Sequence, residues 1–209
     1  MNKPMLFLRE WAPNMETLTE QTSDGKVLYL EGPMIMTEKR NRNGRIYEKA
    51  MMESSVDSYI QTYLNANRAI GELNHPDYPF PNIKEAAVYI ESLTWQGTDV
   101  IGKARVLNNI HGQQIKSLVE AGFRMGMSTR GLGNVVERSG QKYVTEYMLN
   151  AIDAVDMPSG QNCYMNALKE STEWVQEGGI WVEKENREKA QALFLEKFEQ
   201  LIQEIKKSK

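Results

Sequence analysis

A single cysteine, Cys163, stands among 209 residues. No internal disulfide framework is therefore possible, and a reducing compartment suits the chain. Two histidines, His75 and His111, are the whole supply of imidazole. With no carboxylates clustered around them they form no metal-ligand set, and they are the natural candidates for any group that must titrate near neutrality. No apolar run reaches the roughly 20 residues of a membrane span. The apolar patch in "MNKPMLFLREW" lacks a full hydrophobic region and a small-residue cleavage site, so it does not read as a signal peptide. A basic excess is missing too: Lys+Arg 25 against Asp+Glu 28 gives a formal net charge of -3, which argues against direct nucleic-acid binding. Neither an internal repeat nor a low-complexity tract is visible. What remains is a soluble, cytoplasmic chain, 41% hydrophobic, long enough for one well-cored domain with an appendage.

Residues 1–26 are mixed and polar, punctuated by Pro13-Asn14 and "SDG" at 23–25, and read as a loosely held N-terminal arm. "KVLYLEGPMIM" (26–36) reads as a strand interrupted at Gly32-Pro33, and "EKRNRNGRIY" (38–47) as a basic loop with an Asn-Gly turn. Met51, Met52, Val56, Tyr59, Ile60 and Tyr63 recur at helical spacing. "AIGEL" then predicts a short strand running into His75, and "HPDYPFPN" holds three of the seven prolines, so it must be irregular. A hairpin is expected around Gln96-Gly97-Thr98-Asp99, a short helix ending at Gly122, and strands over 125–156 with a turn at Ser139-Gly140. Phe194, Phe198, Leu201 and Ile205 line one stripe of an expected terminal helix. This order indicates an α+β fold with a mostly antiparallel, barrel-like core surrounded by helices.

A serine nucleophile needs a base, a group to orient that base, and donors for the oxyanion. Ser128 lies in "GMSTRG", flanked by Gly126 and Gly131, with Arg130 offering fixed charge. On residues alone this pattern fits an ordinary serine in a strand-end turn better than a nucleophile. His75 closes an apolar strand and opens a proline-stiffened loop, the kind of rigid edge from which sites project. His111, beside Gly112 at a helix start, reads as a solvated or capping residue. Cys163, in "QNCYMN", has no glycine or basic neighbour to lower its thiol pKa and makes a poor nucleophile.

Five motifs in order change the weight of that pattern: "NRNGRIY" (41–47), "GELNHP" (71–76), "GKARVL" (102–107), "GMSTRGLG" (126–133) and "DAV..PS" (153–159). Together, over residues 1–165, they resemble the prohead core proteases of T-even-type tailed phages. The resemblance implies a serine protease related in fold to the herpesvirus maturation protease, needing no cofactor. The implied layout is an arm (1–26), a protease domain (27–165) and a removable helical tail (166–209).

Carried over, the resemblance makes His75 the general base and Ser128 the nucleophile. The third member follows the serine in this family, which favours Asp153, with Glu72, Asp77 and Asp156 as the other candidates. Backbone amides near Arg130-Gly131 or in 157–161 are candidate oxyanion donors, and Arg130 is also a candidate for a substrate carboxylate. The family cuts after Glu in Leu/Ile-X-Glu, an acid that the basic loop of Lys39, Arg40, Arg42 and Arg45 could read by bidentate pairing. Such triplets here include those ending at Glu10, Glu85, Glu120, Glu170 and Glu204. Exposed termini are cut most readily, so self-processing of a zymogen is expected after Glu10 and Glu170. Implied partners are scaffold, core and capsid proteins inside the assembling prohead in the host cytoplasm, with self-association. The rival reading is a non-catalytic scaffold acting through its terminal helix.

Overall fold

The computed structural model describes residues 4–12, 16–22, 25–156, 173–177 and 180–184. It divides into two compact units, Leu8–Met157 and a second made of Met1–Phe7 with Pro158–Lys209. Strand β1 spans Met5–Ala12. The larger unit continues with β2 (Glu16–Thr22), β3 (Gly25–Met36), β4 (Arg45–Tyr47), helix α1 (Lys49–Tyr59), β5 (Ile70–Glu72), β6 (Ala86–Gln96), β7 (Asp99–Val106), helix α2 (Ile110–Glu120), β8 (Gly126–Arg138) and β9 (Gln141–Val155).

Two sheets result. One has the order β1-β8-β9-β4, with β4 parallel to β9; the other is antiparallel throughout in the order β2-β3-β7-β6-β5. A barrel closes only when its end strands pair. Here β2 and β5 end the five-stranded sheet without meeting, so among the described residues the expected barrel-like core is two open sheets. Helix α1 buries Met52, Ser55, Val56 and Tyr59, positions that share one helical face. It continues as a wider turn over Ile60–Leu64. Asn109 caps α2 by accepting from the Gly112 amide at 2.9 Å, the commonest way to satisfy a helix start. No helix among the described residues is long and apolar enough to cross a membrane.

Two differences from the sequence reading concern the ends. Part of the arm is strand: β2 pairs with β3 from Glu16↔Glu31 to Thr22↔Gly25, and a polar end strand shows no hydrophobic alternation to betray it. In the smaller unit, β10 (Glu173–Glu177) and β11 (Ile180–Lys184) form an antiparallel hairpin, and Met5 and Leu6 pair with β10. Aromatic and β-branched residues such as Trp174, Val175, Trp181 and Val182 favour strand over the expected helix. The Phe194–Ile205 stripe lies outside the described residues.

Within the larger unit the two sheets meet where β5 crosses β9. Leu73 bridges Ala154, and the Asn74 amide donates to the Ala154 carbonyl at 2.8 Å. Gly71 permits this approach, because a Cβ there would strike the Ile152 carbonyl and the Val88 side chain. Gly71→Ala should therefore lower stability by about 1–3 kcal/mol through overpacking, read as a lower denaturant midpoint. A variant as stable as wild type would mean the seam has slack.

Candidate active site

Ser128 on β8 faces Asp153 on β9, and the register between them is not that of a simple hairpin. Counted outward from Arg138↔Gln141, an unbroken ladder sets Ser128 opposite Ala151. Register shifts at Asn134/Val135 and Arg130/Gly131 each let β9 contribute one extra residue, Thr145 and then Asn150. Bulges of this kind re-aim side chains beside sites. The second one is tied to α1, whose Ser55 hydroxyl accepts from the Leu149 amide at 3.2 Å.

His75 arrives from the other sheet. Asn74 takes φ 64°, a left-handed conformation that Asn tolerates better than most residues, and the chain turns there beyond the β5–β9 seam. His75 Nδ1 then lies 2.8 Å from Asp153 Oδ2, and Nε2 lies 2.5 Å from Ser128 Oγ. A carboxylate on Nδ1 keeps the proton there and leaves the Nε2 lone pair for the serine hydroxyl. Burial lowers the His75 pKa below its ordinary value, helped by Arg9 and Arg130 and opposed by Asp153. Burial pushes the Asp153 pKa upward, but the bond to His75 and the charge of Arg130 outweigh it and hold the carboxyl below its usual value. Neutral imidazole and ionised carboxylate are the forms a proton-accepting pair needs near neutral pH.

Arg130 is not a cleft residue. It is fully buried, and its guanidinium donates to Asp153, to Glu72 Oε1 and to the carbonyls of Tyr78 and Phe80. Its side chain therefore has no face to offer a substrate. Gly131 is also buried, packed where a Cβ would meet the Met148 carbonyl and the Tyr147 ring. Glu72 points to Arg130, Tyr78 and Asn82 rather than to the imidazole. Asp77 and Asp156 are exposed. His111 pairs with Glu85 at 3.1 Å, next to the N-terminus of α2. Cys163, Glu170, Glu204 and the 157–161 loop lie outside the described residues.

Beside Ser128 sits Glu10. Its backbone carbonyl oxygen lies against the Ser128 hydroxyl oxygen. Its carboxylate receives Asn41 Nδ2 at 2.5 Å, Asn43 Nδ2 at 2.9 Å and the Tyr47 hydroxyl at 2.7 Å, and pairs with Arg45 Nε at 2.6 Å. Asn43 Nδ2 also reaches the Arg9 carbonyl at 2.8 Å. Asn41 Oδ1 accepts from the Arg45 amide at 2.9 Å, which folds the "NRNG" turn so that these donors converge. Of the basic loop, Arg45 reaches the acid and Lys39 lines the same pocket. Asn41, Asn43 and Tyr47 escape a reading of the sequence because Asn and Gly there signal only a turn.

Three comparisons relate the chain to known proteins. The family described as prohead core protein serine protease matches residues 8–175. A prohead core protein protease of Enterobacteria phage T4 is 35% identical over 188 residues, covering 83% of this chain and 88% of that protein. The solved structure of the bacteriophage T4 capsid assembly protease is 32% identical with a TM-score of 0.69, covering 75% of this chain and 100% of that one. With a match across most of its length in family, sequence and fold, the chain belongs to the prohead core protein serine proteases.

Proposed function

We propose that the chain is a serine endopeptidase that cuts prohead scaffold and capsid proteins after glutamate in Leu/Ile-X-Glu segments, and that its first substrate is itself. The observation that carries this reading is Glu10, whose carbonyl lies on the Ser128 hydroxyl while its carboxylate fills a cradle of three hydrogen-bond donors and the Arg45 guanidinium. Leu8-Arg9-Glu10 is itself such a triplet.

Ser128 Oγ adds to the Glu10 carbonyl carbon while its proton passes to His75 Nε2. Asp153 steadies the imidazolium. The tetrahedral adduct collapses, the bond to the Trp11 nitrogen breaks, and His75 returns the proton to that departing amine. A water molecule, its proton passing to His75, then adds to the Glu10 ester, and His75 returns that proton to Ser128 Oγ as the ester bond breaks. Arg45 supplies charge and the three neutral donors supply direction, so a glutamate is favoured over a glutamine of the same shape. Once the 1–10 segment leaves, the cradle is open to glutamates of other chains. The names of the T4 relatives support an enzyme at work in the assembling prohead of a phage-infected cell, on capsid and core proteins as substrates and partners. Cleavage after Glu170, self-association and kinship of fold with the herpesvirus maturation protease belong to the same proposal.

The test is the mass of the full-length chain as it ages. A new N-terminus at Trp11 should appear, and Glu10→Gln should slow it by roughly 10²-fold or more, since a site built for a hydrogen-bonded acid rejects its analogue. Ser128→Ala should yield none. The same fragment from the Ser128→Ala chain would overturn the reading.

A further inference from the structure

Every nitrogen of the Arg130 guanidinium is engaged below the floor of the site. Nε and Nη2 hold both oxygens of Asp153, at 2.7 and 3.0 Å. Nη2 also meets Glu72 Oε1 at 2.9 Å, and Nη1 reaches the carbonyls of Tyr78 and Phe80 at 2.8 and 2.9 Å. Glu72 in turn accepts from the Tyr78 hydroxyl at 3.0 Å and the Asn82 amide at 2.7 Å, while its own amide donates to Asp153 Oδ1 at 2.8 Å. The irregular, proline-rich loop that begins at His75 is thus tied at residues 78 and 80 to the guanidinium that holds Asp153, and at residue 82 to Glu72.

We propose that Arg130, backed by Glu72, is the positioning residue of this active site, clamping Asp153 and the His75 loop in one buried ion network. This rests on the reading of Ser128, His75 and Asp153 as the reacting unit. A buried ion network is a poor source of stability compared with apolar packing of the same volume. What it supplies here is geometry: a planar fork fixes both carboxylate oxygens at once, which an ammonium cannot do.

The network also sets the proton affinity of His75, because its charges alternate outward from the imidazole as Asp153, Arg130 and Glu72. Arg9 from β1 is the other described charge that bears on His75. Tyr59 of α1 and Tyr147 of β9 feel Asp153, and Tyr78 lies with its ring 5.6 Å from the Arg130 guanidinium carbon. Burial raises the pKa of all three phenols, so they stay neutral across the working range. Arg130 opposes protonation of His75, and Glu72 tempers Arg130.

The test is the rate of self-cleavage after Glu10 in the full-length chain across roughly pH 5 to 8, the window in which imidazole titrates. Glu72→Gln keeps the shape and removes the charge, so the acid limb of the profile should move down by about one pH unit. Arg130→Gln should move the limb up and slow the rate by about 10²-fold, as expected for a misplaced catalytic group. Arg130→Lys should leave the limb near wild type yet still lose rate, because charge survives and the fork does not. A merely structural pair would not shift the profile in opposite directions when its two partners are neutralised. If Arg130→Gln fails to give a cooperative thermal transition, the other two variants decide. Wild-type rate in Arg130→Lys together with an unmoved limb in Glu72→Gln overturns the proposal. Trp11 fragments from Ser128→Ala would instead overturn the nucleophile assignment on which it stands.

Discussion

Replacing Ser128 or His75 with alanine should lower cleavage of a Leu/Ile-X-Glu peptide on the order of 10^6-fold, because nucleophile and base act as one unit. Both variants should still fold. Ser128→Ala removes one oxygen from a β-strand, and in His75→Ala the Asp153 carboxylate keeps Arg130 and the Glu72 amide as donors. Activity of the wild type should rise with pH as His75 loses its proton. The rise should come at lower pH than an ordinary histidine would give, since burial lowers this pKa. The measurement is kcat/KM against pH, beside a thermal transition for each variant. Ser128→Ala within tenfold of wild type would remove Ser128 from the role of nucleophile, whereas a wild type that cleaves nothing would return the chain to the scaffold reading.

Asp153→Asn should cost about 10^4-fold in activity, by letting His75 adopt the tautomer that cannot accept the serine proton. Unlike Ser128→Ala, it should also weaken the fold. An amide turns one of the two oxygens facing Arg130 into a donor and leaves a buried guanidinium without its full counter-charge, a loss on the order of 3–5 kcal/mol when such a pair is broken. Activity and thermal midpoint should therefore fall together in Asp153→Asn and separately in Ser128→Ala. An Asp153→Asn variant of wild-type stability and near-wild-type rate would remove Asp153 from both roles.

His75 and Ser128 are legible in the sequence through the resemblance of five ordered motifs, because Ser128 between its glycines reads alone as an ordinary strand-end serine. Asp153 is legible as a carboxylate in an apolar strand, but its position opposite Ser128 is not. That position depends on two bulges, and Thr145 and Asn150 look like ordinary strand residues. Arg130 reads as a cleft cation because glycines flank it, whereas β8 is buried without a break from Gly126 to Gly133. No local pattern reveals that a charge in such a strand faces two others, since they come from residues 72 and 153. Glu10 illustrates the same limit. Its strand reads as part of a loose arm because its contacts with Ser128 and Tyr47 span 118 and 37 residues of chain.

The bulged hairpin also determines which changes of length the enzyme can survive. Residues 137–142 at its tip are exposed, so a matched pair of residues added there, one to each strand, lengthens the ladder and leaves every facing pair intact. Between Gln141 and Asp153 no single residue can be added or lost alone. Removing Asn150 slides the end of β9 by one position, and in a strand that turns each later side chain to the opposite face. The carboxylate would then leave the imidazole while the sheet itself stayed paired. Chain length in this short stretch acts as a gauge for the chemistry, and the tip beyond it is free to grow.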